Sequence, residues 1–452
     1  MLHLLISIAG MILTILFVVG THEAGHFLAA RAVGVKVLTF SIGFGKTLFS
    51  WSDKKGTEYI FALIPLGGYI RMLNESEGPV PENELHLAYN KQPFYKKTII
   101  VLAGPLTNFL CAILLYWLIF SIGFVTVKPV IGTIKPNSIA AEAGLKPLQE
   151  ITSIDQHEVK SWTNVLFYLL AHTGSKDQAA IGVQNSADGK PGNYVLDLST
   201  WKMDELNPDP LQSLGILPYE PPIKLEIGYL RKDSPAEAAG LAIGDKLIAI
   251  DQQKIKDWEG IITTIQSHPD QQLVFSIERH GKKMEIPVMV GSQRSWLMHK
   301  TGILGIAPTV IMPEQYQRKI QYTPLQAIPK ALEETYNLAS FNVLLFGKMI
   351  TGKLSLESLG GPITIFDSAG DSLNYGFLPF ISFLAFLSIS IGVINLFPIP
   401  GLDGGHLFLQ AIEAITRRDI PEHVMIFMFR MGFLFLILIM VQAMLNDVLR
   451  LI

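Results

Sequence analysis

The stretch LLISIAGMILTILFVVGTHEAGHFLAAR, residues 4–31, determines the fold class of this chain. No charged side chain occurs from Leu4 to Gly20. A helix from Leu4 to Ala30 would be about 40 Å long, which is enough to cross a bilayer. The pentapeptide His22-Glu23-Ala24-Gly25-His26 reads H-E-x-x-H and directly follows this apolar run. Such side chains are costly at membrane depth, which indicates that they have a function or a partner.

The two histidines of the pentapeptide can bind one metal ion. On a helix, His22 and His26 lie four residues apart on one face, where both imidazoles can hold a zinc ion. Glu23 then lies beside the metal and can take a proton from water. We therefore predict a zinc site with Glu23 as its catalytic acid/base. A chance match is the alternative, and the apolar setting argues against it.

The composition indicates an integral membrane protein. Of the 452 residues, 49% are hydrophobic and 17% are charged, against roughly 25% charged in ordinary soluble proteins. The mean hydropathy of +0.35 agrees with this interpretation. The formal net charge of −3 gives no sign of a nucleic-acid partner, and we expect none. The single cysteine, Cys111, excludes an intrachain disulfide.

Four apolar spans are predicted, and the basic residues predict their orientation. The spans cover about 4–30, 98–124, 377–396 and 425–445. Nine basic residues lie between the first two spans: Arg31, Lys36, Lys46, Lys54, Lys55, Arg71, Lys91, Lys96 and Lys97. Cytoplasmic loops carry such an excess of Lys and Arg, so this loop is predicted to be cytoplasmic. Both termini and the segment 125–376 are then predicted to lie outside.

The outer segment contains an internal repeat. A shift of 96 residues aligns Ile131-Gly132-Thr133-Ile134 with Ile227-Gly228-Tyr229-Leu230, and it also pairs Trp162 with Trp258. A match kept in register over this length indicates two copies of one module. The second copy, with Gly240, Gly244-Asp245 and Ile250-Asp251, resembles bacterial PDZ domains, which bind peptides beside an exposed strand edge. The first copy has Pro147-Leu148-Gln149 where Gly-Asp is expected, and a pair of packed spacer domains without a peptide ligand is the alternative.

A short segment after the first span alternates like a β-strand. The candidate substrate-binding residues here are Gly68, Tyr69, Ile70 and Arg71. An unpaired strand edge beside the metal could hold a substrate segment in an extended form, because a helix hides its peptide bonds from attack. The alternative is a hairpin that merely closes the loop. Further along, the stretch 325–349 is amphipathic and is predicted to pack at the membrane interface.

A catalytic zinc ion normally has three protein ligands, so a third one must come from another span. The sequence Asn395-Leu396-Phe397-Pro398-Ile399-Pro400-Gly401-Leu402-Asp403-Gly404-Gly405-His406 follows the third span. Asp403 is the natural candidate, since it is the acidic group that returns to the cytoplasmic half of the membrane. His406, one turn further on, is its rival.

Taken together, these motifs resemble the site-2 protease family. They are H-E-x-x-H in the first span, Gly104-Pro105-Leu106-Thr107-Asn108-Phe109 in the second, the tandem repeat, and N-x-x-P-x-P-x-L-D-G-G near the third. The resemblance implies a zinc metalloendopeptidase with one zinc per chain, held by His22, His26 and Asp403. It also implies that Asn395 and Pro398 help to position the substrate strand.

The same resemblance implies the biological setting. The expected location is a bacterial inner membrane, crossed several times, with the PDZ domains and both termini in the periplasm. The expected substrates are single-span membrane proteins in the lipid bilayer, such as an anti-sigma factor in an envelope stress response and remnant signal peptides, cut after a first cleavage outside. The PDZ tandem would act as a size filter and could also bind peptides. A PDZ-bearing scaffold with structural zinc, and more weakly a zinc transporter, are the alternatives.

The predicted fold class is a polytopic α-helical membrane protein with four transmembrane helices and two extracytoplasmic α/β PDZ-type domains. The predicted units are 1–31 (first span with H-E-x-x-H), 32–96 (cytoplasmic loop with a membrane-associated β-hairpin), 97–124 (second span), 125–220 (first PDZ-like domain), 221–292 (second PDZ domain), 293–376 (linker and amphipathic helices), 377–414 (third span with the L-D-G motif) and 424–448 (fourth span).

Overall fold

The structure, a computed structural model, describes residues 2–75, 78–174, 177–186, 188–203, 209–294, 300–352, 360–418 and 420–450. Four helices in this part of the chain are long and apolar enough to cross a membrane. They cover Leu4–Ala32, Phe94–Ile122, Phe377–Leu396 and His423–Leu449.

The first third of the chain forms two long helices separated by a β-sheet. Its elements are α1 (Leu2–Ala32), β1 (Val37–Ser52), β2 (Glu58–Met72), a 3-10 helix (Glu82–Leu87) and α2 (Phe94–Ile122). Arg31 lies in the last turn of α1, where a positive charge suits the negative end of the helix dipole. Gly123, with φ at +85°, ends α2 in a conformation that favours glycine.

Strands β1 and β2 curl so that the start of β1 pairs with both ends of β2. Phe40, for example, is paired with Ile70 and also with Tyr59. Gly43 and Gly45, with φ at +94° and +83°, supply the bend. The segment 68–72 is therefore an edge of the sheet, hydrogen-bonded to β1 on one side. The β2 strand packs against α1.

The segment after α2 folds as a domain around its own hydrophobic core. Its elements are β3 (Phe124–Val127), β4 (Ile131–Ile134), α3 (Ile139–Glu142), β5 (Gln149–Ile154), β6 (His157–Glu158), α4 (Trp162–Ala171), β7 (Gln178–Asn185), β8 (Pro191–Asp197), α5 (Pro210–Leu214) and β9 (Ile216–Pro218). One sheet has the order β6-β5-β7-β8, and β4 pairs with β9. Buried residues such as Ile131, Ile151 and Leu169 form the core.

The next segment repeats the same topology. Its elements are β10 (Ile227–Leu230), α6 (Pro235–Ala238), β11 (Lys246–Ile250), β12 (Gln253–Lys254), α7 (Trp258–Ser267), β13 (Gln272–Arg279), β14 (Lys282–Met289), β15 (Gly291–Arg294), β16 (Lys300–Ile303) and β17 (Ile306–Pro308). The sheet order is β12-β11-β13-β14, and β10 pairs with β17. The matching short helices α3 and α6 are capped by Ser138 and Ser234, which accept a hydrogen bond from the N–H three residues later.

The first copy keeps the turn of the second copy although its residues differ. Leu148 adopts φ at +64°, where Gly244 in the second copy adopts +91°. Gln149 Oε1 accepts from the N–H of Lys146 at 2.8 Å, as Asp245 Oδ2 accepts from the N–H of Ala242 at 2.8 Å. The departure from Gly-Asp therefore changes the chemistry of the turn and leaves its path intact.

The second domain extends past its predicted end at residue 292. Strands β16 and β17 lie beyond that boundary and pair with β15 and β10. The matching strand of the first copy, β9, lies 90 rather than 96 residues earlier. The register that defines the repeat in sequence is therefore lost before the domain closes.

After Tyr316, the residues that the structure describes form one strand and five helices: β18 (Gln317–Ile320), α8 (Pro324–Ile350), α9 (Pro362–Tyr375), α10 (Phe377–Leu396), α11 (Asp403–Thr416) and α12 (Glu422–Arg450). Strand β18 pairs with β3, so the two connections to the repeated domains run side by side. The unit predicted at 377–414 is two helices. Pro398 and Pro400 separate them, because proline cannot continue a helix interior.

Helix α2 is central to the helical part of the molecule and packs against α1, α8, α10 and α11. The shared core includes Ala112, Ile381 and Ile389. One face of the amphipathic α8, with Ala327 and Ala331, is buried. This face of α8 packs against α2 and α10. The sequence predicted instead that α8 packs at the membrane interface.

Helix α12 is mostly exposed along its apolar length. Near its end, Asp447 accepts hydrogen bonds from the N–H groups of Gly361 and Ile363, both at 2.9 Å, at the start of α9. A carboxylate at a helix N-terminus satisfies donors that the helix itself leaves unpaired. This contact joins the fourth apolar helix to α9, which in turn packs against α1.

Candidate metal centre

Two glycines allow α1 and α2 to approach each other where the histidines lie. A Cβ atom on Gly25 would lie 2.4 Å from the carbonyl oxygen of Ala103. A Cβ on Gly104 would lie 2.2 Å from Nε2 of His26. Both positions therefore require glycine, and the His26 ring occupies the space that any other side chain would fill.

The first turn of α11 packs equally closely against the loop that precedes it. A Cβ on Gly404 would lie 2.3 Å from the carbonyl oxygen of Phe397, and one on Gly405 would lie 2.2 Å from that of Ile399. The loop after α10 therefore folds tightly over the first turn of α11. Asp403 is the first residue of this helix.

His22, His26 and Asp403 meet at one point. Nε2 of His22 and Nε2 of His26 are 3.2 Å apart. Asp403 Oδ2 is 3.2 Å from Nε2 of His22 and 3.3 Å from Nε2 of His26. Within the described part of the chain, these three residues are the group of His, Cys, Asp and Glu side chains able to share a metal ion.

The geometry and the donor set fit a zinc ion. Ligands at about 2.0–2.1 Å in a tetrahedron are separated by about 3.3 Å, which matches the observed triangle. Asp403 Oδ2 is buried and has no hydrogen-bond partner. A buried carboxylate oxygen without a donor is costly, and a cation at the centre of the triangle would satisfy it. Two imidazoles and one carboxylate are also a ligand set found in catalytic zinc sites.

The ring of His26 is fixed from behind. Its Nδ1 is 2.7 Å from the carbonyl oxygen of Ile100 on α2. A carbonyl oxygen only accepts, so Nδ1 carries the proton, and Nε2 is then left with its lone pair toward the triangle. Protein groups that hold the second ring nitrogen in this way set the orientation of metal-binding histidines.

Glu23 follows His22 on α1 and lies beside the edge of the sheet. A Cβ on Gly68 would lie 2.8 Å from Cγ of Glu23 and 2.8 Å from the carbonyl oxygen of Ser41. The edge segment therefore passes directly beside Glu23. Tyr69 is exposed and stacks on Phe44, with ring centroids 6.1 Å apart. Ile70 is half-buried and Arg71 is exposed.

The remaining candidates lie around α10 and α11. Asn395 is half-buried in the last turn of α10, and Pro398 is exposed in the loop that follows. His406 is not part of the triangle, and its ring packs against Phe429 with centroids 4.8 Å apart.

No role was predicted for the supporting residues on α2. Ile100, Gly104 and Asn108 recur every four residues and line the face of α2 toward the histidines. The signal was present: an asparagine in an apolar span needs a partner inside the protein. Which partner it has depends on how α1 and α2 pack.

Comparison with known proteins shows the family to which the chain belongs. The model of "Peptidase family M50" matches residues 10–439. The chain belongs to this family, the site-2 proteases. The M50 chain is 39% identical over 452 residues to the Escherichia coli "Regulator of sigma-E protease RseP", with both proteins covered fully. It is 38% identical over 452 residues to "Protease RseP" of Yersinia pestis, again with full coverage.

Other similarities complete the comparison. A Vibrio cholerae relative that carries a zinc metalloprotease name is 38% identical over 454 residues, with both proteins covered fully. A solved PDZ domain of an SdrC-like protein from Listeria monocytogenes is similar to 21% of the M50 chain and 92% of its own, with 19% identity and a TM-score of 0.17, which is too low to support a shared fold. The M50 chain is a zinc metalloprotease, and its apolar helices fit an intramembrane enzyme.

Proposed function

We propose that this protease cuts the transmembrane segments of single-span membrane proteins at one zinc ion held by His22, His26 and Asp403. The observation that carries the proposal is the triangle of three ligand atoms, separated by 3.2–3.3 Å, which the apolar helix α1 and the first residue of α11 contribute. The orphaned Oδ2 of Asp403 supports a cation at its centre.

Glu23 is the proposed acid/base. A zinc ion in this site would polarise the scissile carbonyl and lower the pKa of water. Glu23 takes the proton from the attacking water and later gives it to the leaving amine nitrogen. Its position beside Gly68 supports this role, because a substrate strand along the edge would pass next to its carboxyl group.

The sheet edge is the proposed substrate strand partner. A transmembrane helix keeps its carbonyls hydrogen-bonded, so cleavage requires local unwinding and new partners for the freed groups. The edge formed by Gly68, Tyr69, Ile70 and Arg71 is hydrogen-bonded to β1 and is the proposed place where a substrate strand is added. Asn395 and Pro398, near the end of α10, are the proposed contacts on the opposite side of that strand.

The repeated domains are the proposed size filter, and we assign them as PDZ-type domains outside the membrane. The first domain is held against the helical part: Lys348 on α8 donates to the carbonyl oxygen of Ala171 at 2.9 Å. Arg318 on β18 donates to Glu150 on β5 at 2.6 Å. A domain fixed in this way excludes substrates with bulky outer parts, which fits cleavage after a first cut outside. Peptide binding along the strand edges of these domains stays part of the proposal.

The proposed setting is a bacterial inner membrane with the repeated domains and both termini in the periplasm. The basic residues between the first two spans support this orientation. The proposed substrates are an anti-sigma factor of an envelope stress response and remnant signal peptides. The name of the Escherichia coli relative, a regulator of sigma-E protease, supports the first of these.

Two variants of the metal centre test the proposal. Glu23→Gln should keep one zinc per chain and lose cleavage of a single-span substrate, because it removes only the proton carrier. His22→Phe should lose both zinc and cleavage. Zinc content measured by atomic absorption on the purified chains separates the two outcomes. Full cleavage by Glu23→Gln, with zinc bound, would contradict the acid/base role of Glu23. A wild-type chain that binds zinc and cuts no single-span substrate would indicate a membrane scaffold with a structural metal.

A further inference from the structure

A polar side chain on α2 lies behind the first histidine. Asn108 is fully buried, with 0% of its surface exposed. Its amide Nδ2 is 3.3 Å from Nδ1 of His22. Its Oδ1 accepts from the hydroxyl of Thr21 at 3.5 Å. The amide is therefore enclosed between His22 and Thr21 at the contact between α1 and α2.

Metal binding fixes which nitrogen of His22 carries the proton. Nε2 of His22 points into the triangle, so its lone pair is used by the metal and the proton moves to Nδ1. Nδ1 then becomes a donor and requires an acceptor. An amide nitrogen is also a donor, so Nδ2 of Asn108 cannot satisfy it.

A half-turn of the amide resolves this conflict without any other movement. The two ends of an asparagine amide have nearly the same shape, and the hydrogen bonds decide which atom faces which partner. With Oδ1 toward His22, the amide accepts from Nδ1–H. Nδ2 then donates to the hydroxyl of Thr21, which is free to donate to the carbonyl oxygen of Val18 at 3.2 Å. Each of these three hydrogen bonds then joins a donor to an acceptor.

We propose that Asn108 is a positioning residue for zinc, which holds His22 in the tautomer and ring orientation that the metal requires. The inference rests on the proposed ligand set. The arrangement parallels His26, whose Nδ1 is held by the carbonyl oxygen of Ile100. Both histidines of α1 are thus oriented by acceptors on one face of α2, two helical turns apart. Hydrogen-bond partners of this kind raise the basicity of the metal-binding nitrogen and fix the orientation of the ring before the metal binds.

Two substitutions separate the acceptor from the volume it fills. Asn108→Leu keeps a side chain of similar size and removes the acceptor. Asn108→Asp keeps an acceptor oxygen and adds a charge that a protonated Nδ1 can face. We expect Asn108→Leu to weaken zinc binding by about 10–100-fold, and Asn108→Asp to stay within a few-fold of wild type.

The measurement is the dissociation constant of zinc for the full-length protein in detergent, obtained by competition with a chromophoric chelator. The thermal unfolding of the zinc-free protein is measured in parallel, to show whether each variant folds. Where leucine prevents folding, Asn108→Ala takes its place. Equal zinc affinity in wild type and Asn108→Leu would overturn the inference, and so would equal weakening by Leu and Asp, which indicates packing alone. A wild-type chain that binds no zinc would overturn the proposed function as well, and that failure is distinguishable because it is independent of Asn108.

Discussion

The small size of Gly68 leaves room for the side chain of Glu23. Alanine there would place its Cβ 2.8 Å from both Cγ of Glu23 and the Ser41 carbonyl oxygen. Backbone oxygen cannot give way, so either Glu23 or the edge strand must move. Small displacements of a reacting group cost about 10²-fold in rate. We therefore expect Gly68→Ala to lower kcat by about 10²-fold while zinc stays bound.

Gly347 provides the matched control for this substitution. It lies in α8, and a Cβ there would meet nothing within 4 Å. Gly347→Ala should therefore keep full activity and favour the helix slightly. Comparable kcat values for both variants would show that Gly68 does not restrict the catalytic side chain.

Leu148 carries backbone strain that its counterpart in the second domain avoids. Its φ of +64° is in the left-handed region, where Gly244 stands in the other copy. Leucine pays a steric cost of roughly 1–2 kcal/mol there, and asparagine tolerates this region better. We expect Leu148→Asn to raise the free energy of unfolding by about 0.5–1 kcal/mol. Gly244→Leu should lower the free energy of unfolding. Thermal melts in which both variants shift the melting temperature in the same direction would contradict backbone strain at Leu148.

At the scale of elements, a buried carboxylate forms an ion pair that joins β13 to the start of β11. Asp245, whose side chain is 1% exposed, accepts from Nε of Arg279 at 2.6 Å. Burial raises the pKa of Asp245, but the hydrogen bonds and charge of Arg279 and the N–H of Ala242 outweigh it. The pKa therefore lies below its ordinary value of 3.8. Asp245 thus stabilises the second domain above that pH and loses this effect as the pH falls below it.

The first domain supplies the comparison for this acid dependence. Gln149 makes the same turn with a neutral amide. We expect acid to reduce hydrogen-exchange protection of the second domain more than that of the first, after correction for intrinsic rates. Asp245→Asn should lower protection of the second domain at pH 7 and flatten its acid dependence. An identical acid profile in wild type and variant would assign the effect to other groups.

The elements differ in how far their sequence predicted them. The apolar helices and the strand-helix pattern of the repeat were predictable, because burial imposes periodicity and the two copies stay in register near Trp162 and Trp258. The end of the second domain was not predictable. Strand β17 pairs with β10 far along the chain, beyond the stretch over which the two copies align with a constant offset of 96 residues. The curl of β1 and β2, which depends on Gly43 and Gly45, was not predictable either.

The same contrast holds for the metal centre. H-E-x-x-H and the L-D-G motif identified the candidate ligands because ligand chemistry restricts the residue types. The choice between Asp403 and His406 needed the packing of α11, which directs His406 toward Phe429. The positions of Asn108 and of the Ile100 carbonyl beside the histidines required the α1–α2 interface, because every residue has a carbonyl group and the sequence does not show which partner a buried asparagine faces.

At the scale of the whole molecule, the pairing of β3 with β18 offers a clean way to remove the repeated domains. Val127 is paired with Gln317, so a two-residue Asn-Gly turn can join them as a hairpin. We expect deletion of residues 128–316 with this turn to allow cleavage of substrates that keep large outer domains. Cleavage of short substrates should continue, since the metal centre lies elsewhere.

A matched measurement separates filtering from damage. Zinc content and cleavage of a short substrate report whether the helical part survives the deletion. A deletion variant that cuts short substrates at the wild-type rate and still rejects large ones would indicate that the repeated domains are spacers.

The position of the cut bond tests the central claim most directly. Purified protein is incubated in lipid bilayers with a single-span substrate that lacks its outer domain, and the products are measured by mass spectrometry with Glu23→Gln as the blank. We expect the cut inside the apolar segment, in its cytoplasmic half, because His26 lies close in sequence to the basic end of α1 at Arg31. Cuts confined to the polar flanks, or the same products from Glu23→Gln, would contradict intramembrane cleavage at this site.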